Sequence, residues 1–216
     1  MRKALEVGGI VAAVVLIAFG IGAIVLGAEG RSTVHSTLIE QKITGTPDMT
    51  PAGIKAEAAK SGLNVASLTI PTCSVANKKI ENGTQAHCFA QYMVIHALEA
   101  TGGQYYSQMP RYATASGAGT NEESQALKNS KGKPVDNPAR EVWIQQIALS
   151  TALNSSYMAS QVGLFGIVVG VALLLSGLGF GILAIGGALR NPDTALRFLR
   201  SRAESHSGGT PAVTGA

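Results

Sequence analysis

Charge is what this sequence lacks most. Only 14% of its 216 residues are Asp, Glu, Lys or Arg, where a soluble domain carries about a quarter, and the shortfall is concentrated. No charged residue occurs from 7 to 28 or from 142 to 189. Those two gaps exclude a plain soluble domain. Aromatic residues are scarce at 5%, and cysteine occurs only twice. Catalytic motifs are missing as well: there is no G-x-S-x-G, no G-x-G-x-x-G after a strand, no P-loop, no H-E-x-x-H and no C-x-x-C, so hydrolase, dinucleotide and NTPase readings have no motif to start from. What is present is one middle segment of about 130 residues, long enough for a single modest core.

The first gap, Val7 to Ala28 (VGGIVAAVVLIAFGIGAIVLGA), holds no hydrogen-bonding side chain, and as a helix it measures about 33 Å, enough to cross a hydrocarbon layer of ~30 Å. It reads as a transmembrane helix. A cleaved signal peptide is the competing reading, given Arg2, Lys3 and the small residues around Gly27, but the apolar run exceeds the ~7–15 residues of a signal core. The second span is placed at 162–189, where Ser176 is the only polar side chain and can bond back to its own helix. The expected organisation is a cytoplasmic N-terminus at 1–6, a span at 7–28, an extracytoplasmic domain at 29–161, a span at 162–189 and a cytoplasmic segment at 190–216. Cations beside membrane helices stay on the cytoplasmic side, and Arg2 and Lys3 precede the first span while Arg190, Arg197, Arg200 and Arg202 follow the second. The protein is thus expected in the cell membrane, multi-pass, with both termini inside. Its net charge of +4 sits mostly on those cytoplasmic ends, and no basic patch exists to neutralise phosphates, so a nucleic-acid partner is not expected.

Glycine is abundant in both spans. In the second, Gly166 and Gly170 form one G-x-x-x-G and Gly177 and Gly181 another, eleven residues on. Eleven residues at 100° return to about the same face, so these four share a stripe with Ala159, Gly163, Ala184 and Ala188. The first span has a weaker stripe through Gly9, Ala13, Gly20, Ala23 and Gly27. Small residues let helix backbones approach closely in lipid. The stripes suit an antiparallel hairpin within one chain, contact with a second copy, or contact with another membrane protein through the second span. The lipid bilayer is the remaining expected partner. No ionisable residue lies within either span, which argues against a proton relay or ion path through this chain alone.

The outer segment is expected to be α-rich, possibly α+β. Residues 33–43 read either as a strand or as an extension of the first helix. Thr50 and Pro51 start a helix that Gly62 ends, and 63–70 alternates like a short strand ending at Pro71. Thr84 to Ala100 forms the principal helix, with Phe89, Tyr92, Met93, His96, Ala97 and Ala100 on one side and Gly102-Gly103 as its stop. A short helix is expected near 121–129, with Glu122-Glu123 at its solvated start. Asn137-Pro138 opens a helix with no further proline until Pro192, so a stalk from 138 continues into the second span, presenting Trp143, Ile144, Ile147 and Ala148 to the domain. Beyond the span, Arg197, Arg200 and Arg202 alternate with Ala195, Phe198 and Leu199 as a basic amphipathic segment suited to anionic headgroups, and the last twelve residues read as a disordered tail.

Cys73 and Cys88 both fall in the outer segment, where a pair is most simply a disulfide; free thiols or a metal or redox pair remain open. Cys88, Tyr92 and His96 follow at i, i+4 and i+8 on one helix face. His96 reads as a buried, hydrogen-bonded side chain, since no histidine spacing prepares a metal site. The two N-x-[ST] matches, at Asn82 and Asn154, have the frequency of chance.

The stretches IPTCSVANKKIENGTQAHCFAQYM and NPAREVWIQQIALSTALN, the latter leading into a Gly-rich span, resemble a group of uncharacterised actinobacterial two-span membrane proteins. Members of that group often carry an automatic label of aromatic ring-opening dioxygenase. The resemblance implies iron held by two histidines and a carboxylate; His35, His87 and His96 would have to converge with an acid, while His206 falls beyond the second span. The residues themselves point to a binding, sensing or complex-accessory module with no cofactor and no catalytic residue. The alternative is an enzyme whose outer pocket is built from Tyr92, His96 and the tyrosines at 105, 106 and 112.

Overall fold

A computed structural model of the chain describes residues 2–186. The end of the second span, the basic segment after Arg190 and the C-terminal tail lie outside the described residues. Within them the chain is helical: α1 spans Arg2–Glu40, α2 Pro51–Lys60, α3 Gly83–Ala100 and α4 Pro138–Ile185, with single 3-10 turns at Val65–Ser67 and Tyr106–Gln108. No strand forms among the described residues, only isolated bridges such as Thr44 with Lys79 and Tyr112 with Asp136. Two helices, α1 and α4, are long and apolar enough to cross a membrane. The chain divides into two units, one made of 2–28 with 163–186 and the other of Glu29–Val162.

The first unit is an antiparallel helix pair. A side chain added at Gly20 would meet the carbonyl oxygen of Gly170 at 2.8 Å, and one at Gly170 would meet that of Gly20 at 2.6 Å. Gly27 lies likewise against Gly163, and Gly177 against Ala13 and Ile17. The buried small residues are Gly9, Ala13, Gly20 and Gly27 on α1 and Gly163, Gly170, Gly177 and Ala184 on α4, and from Ala13 and from Gly163 onward each is seventh in line. A strict seven-residue repeat keeps one seam facing a partner helix along its length. That differs from the expected eleven-residue grouping. Gly166 and Gly181 lie at the edge of the seam, where an added methyl group finds its nearest neighbours at 3.4 Å and 3.7 Å. The stripe of the second helix is thus occupied by α1 of the same chain. The opposite faces carry large exposed apolar side chains, among them Phe19, Leu26, Phe165 and Ile182, at 69–71%. Gly170→Leu is expected to cost the pair about 1–3 kcal/mol, as overpacking does, whereas Gly181→Ala leaves it unchanged; heat-induced loss of helical signal in micelles reads the difference.

The second unit owes its elements to caps. Thr50 accepts the Gly53 amide at the start of α2, Pro51 takes its first position, and Gly62 follows its end with φ +79°. Asn82 accepts the Gln85 amide at the start of α3, and Gly102 and Gly103, both with positive φ, stop it. Asn137 accepts the Ala139 amide ahead of α4. Residues 33–40 continue α1, which settles the open alternative in favour of helix. The expected strand at 63–70 is instead a 3-10 turn: Asn64 accepts the Ala66 amide and its carbonyl binds the Ser67 hydroxyl, curling the backbone before a ladder can form. The expected helix at 121–129 is a run of turns tied by backbone bonds from Leu127 to Ala113 and from Val135 to Leu127. Glu123 therefore does not open a helix; it accepts the Tyr112 hydroxyl at 2.9 Å.

Two apolar clusters fill this unit. The larger gathers Met49, Ile54, Val75, Ile80, Phe89 and Tyr92 with Leu153 of α4. The smaller joins Ala97, Leu98 and Met109 to Trp143. The stalk face differs from expectation in register: Trp143, Gln146 and Leu153 are buried, while Ile144 and Ile147 are 48% and 49% exposed. Spacings of three and seven place the first set on one side of a helix, and Ile144 and Ile147 lie off it.

Candidate functional site

The helix α3 sets Cys88, Tyr92 and His96 along one face, and each is engaged by the loop that precedes it or by the segment before α2. Cys88 is disulfide-bonded to Cys73, fifteen residues away, and no cysteine is free. The fully buried Tyr92 donates its hydroxyl to the Cys73 carbonyl at 2.6 Å. Burial, reinforced by the negative charge of Asp48, pushes the Tyr92 phenol above its ordinary range and keeps it a neutral donor. The disulfide and the phenol therefore act together to pin the 71–75 turn onto α3.

His96 places Nε2 2.7 Å from Asp48 Oδ2, with each side chain 24% exposed. Sequence reading anticipated the hydrogen bond but not Asp48, which is 48 residues distant and reads locally as part of a turn before the Thr50 cap. Burial alone would raise the Asp48 carboxyl. Hydrogen bonds from Thr46 and His96, with the charge of His96, hold it below the usual carboxylate range. Its stabilising contribution is thus present above that range and is lost as pH falls through its lowered value. One turn on, Glu99 has the opposite character. Its Oε1 is buried without a hydrogen-bond partner, and burial raises its pKa, with Asp48 and Glu57 adding to the rise and His96 opposing it. Stability from Glu99 is complete while its carboxyl is protonated and declines as pH rises through the raised value. Glu99→Gln is accordingly expected to stabilise the unit near pH 7, by about 1 kcal/mol at most, and the gain vanishes below about pH 4, where the carboxyl is protonated in both states. Thermal melts of the two proteins across pH check this.

His96 also lines a cavity of about 230 Å³ with Met93, Ala97, Val142, Gln146 and Leu149, below the usual ~300–1,000 Å³ of small-molecule sites. An Asp–His pair has the form of a general base, but among the described residues no hydroxyl or thiol is hydrogen-bonded to His96, so no nucleophile is poised beside it. The expected grouping of Tyr92 and His96 with the other tyrosines is not assembled. Tyr105 packs on Trp143 with ring centroids 5.3 Å apart, Tyr106 lies under the Arg140 guanidinium, and Tyr112 bonds Glu123. The other histidines are dispersed too. His35 Nδ1 lies 2.6 Å from the Glu81 carbonyl oxygen, whereas His87 stacks on Tyr157 and bonds Asn154 at 2.7 Å. Asn154, like the helix-capping Asn82, thus uses its amide within the fold. Among the described residues, no three His, Cys, Asp or Glu side chains converge as a metal ion requires.

No family model, curated protein or solved structure matches the chain.

Proposed function

We propose that the chain is a two-span membrane protein with both termini in the cytoplasm, which holds residues 29–161 outside as a binding, sensing or complex-accessory module. The observation that carries this reading is the Cys73–Cys88 disulfide, set in a unit that lies in sequence between the charge-free runs of two long apolar helices. Structural disulfides persist in oxidising compartments. The cationic residues outside both spans support the same sidedness, and the two-span layout is what the resemblance to the actinobacterial group implies. The polar side chains of α3 are engaged within the fold, Tyr92, His87 and His96 each being bonded to another segment, which supports a structural rather than catalytic use of them. Because the seam glycines of α4 face α1, a membrane partner would meet the exposed apolar faces of the helices.

Elemental analysis of the protein purified from native membranes tests the role. The reading predicts no stoichiometric iron or zinc that depends on His96. Such a metal, lost in His96→Ala, would replace the module by an enzyme.

A further inference from the structure

At the start of α4 the second unit contains a cleft of about 520 Å³ whose lining includes Arg111, Arg140, Tyr106, Ile144, Asp136 and Glu141. Its volume is that of a small-molecule site. The half-buried Arg140 is held on two sides: its guanidinium carbon stands 4.1 Å from the centre of the Tyr106 ring, and Nη1 donates to the Met109 carbonyl at 3.2 Å. Arg111 is fixed through its backbone, its amide bonded to Asn121 and its carbonyl to the Asn137 amide, and its guanidinium lies 5.2 Å from the Tyr112 ring. Neither arginine forms an ion pair among the described residues, although Asp136 and Glu141 share the cleft. Glu141 sits in the first turn of α4, where the helix dipole favours its charge. The held guanidinium of Arg140 and the exposed one of Arg111, both with unclaimed N–H donors, match the planar, two-oxygen geometry of a carboxylate. Beside them Ile144 is 48% exposed and Tyr106 36% exposed, an apolar wall that water covers poorly. The end of α4 itself adds little, since Pro138 has no N–H and Asn137 already caps the Ala139 amide.

We propose that this cleft binds a small organic acid, its carboxylate on Arg111 and Arg140 and its apolar group against Tyr106 and Ile144. Asp136 and Glu141 limit the affinity and exclude more highly charged anions. The assignment rests on reading residues 29–161 as a binding domain, but it is independent of which side of the membrane they occupy.

Isothermal titration of the full chain in lipid nanodiscs, with empty nanodiscs subtracted, tests it using hexanoate, hexanamide, inorganic phosphate and a leucine-ended tripeptide with a free carboxylate. Hexanoate is expected to bind at least tenfold tighter than hexanamide or phosphate. Arg111→Gln and Arg140→Gln should each weaken it at least tenfold, Asp136→Asn should tighten it severalfold, and Lys131→Gln, at an exposed cation that does not line the cleft, should leave it unchanged. Arg111→Gln keeps the backbone bonds of that residue, and a helical signal equal to the parent's confirms its fold. Equal binding of hexanoate and hexanamide, or of hexanoate and phosphate, would overturn the proposal, as would tighter binding of the tripeptide or an equal loss in Lys131→Gln. Since the titration uses purified protein, failure here leaves membrane sidedness to be judged by labelling.

Discussion

Replacing Trp143 by alanine is expected to cost the unit of residues 29–162 about 3–5 kcal/mol, the range for emptying a buried aromatic site. Trp143 is 5% exposed and fills the smaller cluster against Ala97, Leu98 and Met109. Its indole N–H donates to the Gln104 carbonyl at 2.8 Å, tying the turn after α3 to α4, and Tyr105 packs on its ring. Truncation removes the apolar contact and one of the two donors to that carbonyl, which keeps the Thr101 hydroxyl at 2.9 Å, so most of the cost comes from the emptied site. Since each 1.4 kcal/mol is a factor of ten, amide hydrogen exchange along α3 should accelerate about a hundred- to several-thousand-fold. Ile144→Ala supplies the control. Its side chain is half exposed, so the effect should stay within about 0.5 kcal/mol. Equal costs at 143 and 144 would mean that the packed face of α4 is not the one described.

The second large effect concerns the disulfide. Closing a loop of fifteen residues restricts the unfolded chain and is worth about 3 kcal/mol in the chain-entropy account. The double substitution Cys73→Ala with Cys88→Ala should destabilise the unit by about that amount. Reductant should lower the stability of the parent protein similarly and leave the double variant unmoved. Urea titration followed by Trp143 fluorescence reads both, because Trp143 is the sole tryptophan. The Tyr92 hydroxyl bond to the Cys73 carbonyl survives these changes, so the turn is expected to loosen while α3 remains formed. Unchanged stability in both experiments would remove the staple from the account.

Where the physics is local, the sequence carried the fold well. The caps at Thr50-Pro51 and Asn137-Pro138 and the glycine stop at 102–103 each correspond to an element boundary, because each depends on residues within one turn. The two charge-free runs became the two long apolar helices. Where neighbours distant in sequence decide, the signal was weaker. Alternation at 63–70 suggested a strand, but no partner strand exists among the described residues and Asn64 curls the chain locally. Residues 121–129 lost their expected helix to backbone bonds with Ala113, Lys133 and Val135. Both glycine seams were visible as stripes, yet their seven-residue register emerges only from the facing helix, which selects Gly163, Gly170 and Gly177 over Gly166 and Gly181. At the α3 face, the cysteine pair was legible from count and location. The partner of His96 was not, since nothing in the turn containing Asp48 points 48 residues ahead.

The most direct measurement of the central claim is labelling of single added cysteines with a membrane-impermeant maleimide on intact cells. The two native cysteines are bonded to each other and do not react. Ala118→Cys, at an exposed position in the unit of residues 29–162, should be modified without permeabilisation, whereas Ala4→Cys and Ser207→Cys should react only after the membrane is opened. Modification of either end in intact cells, or protection of position 118, would contradict the two-span arrangement.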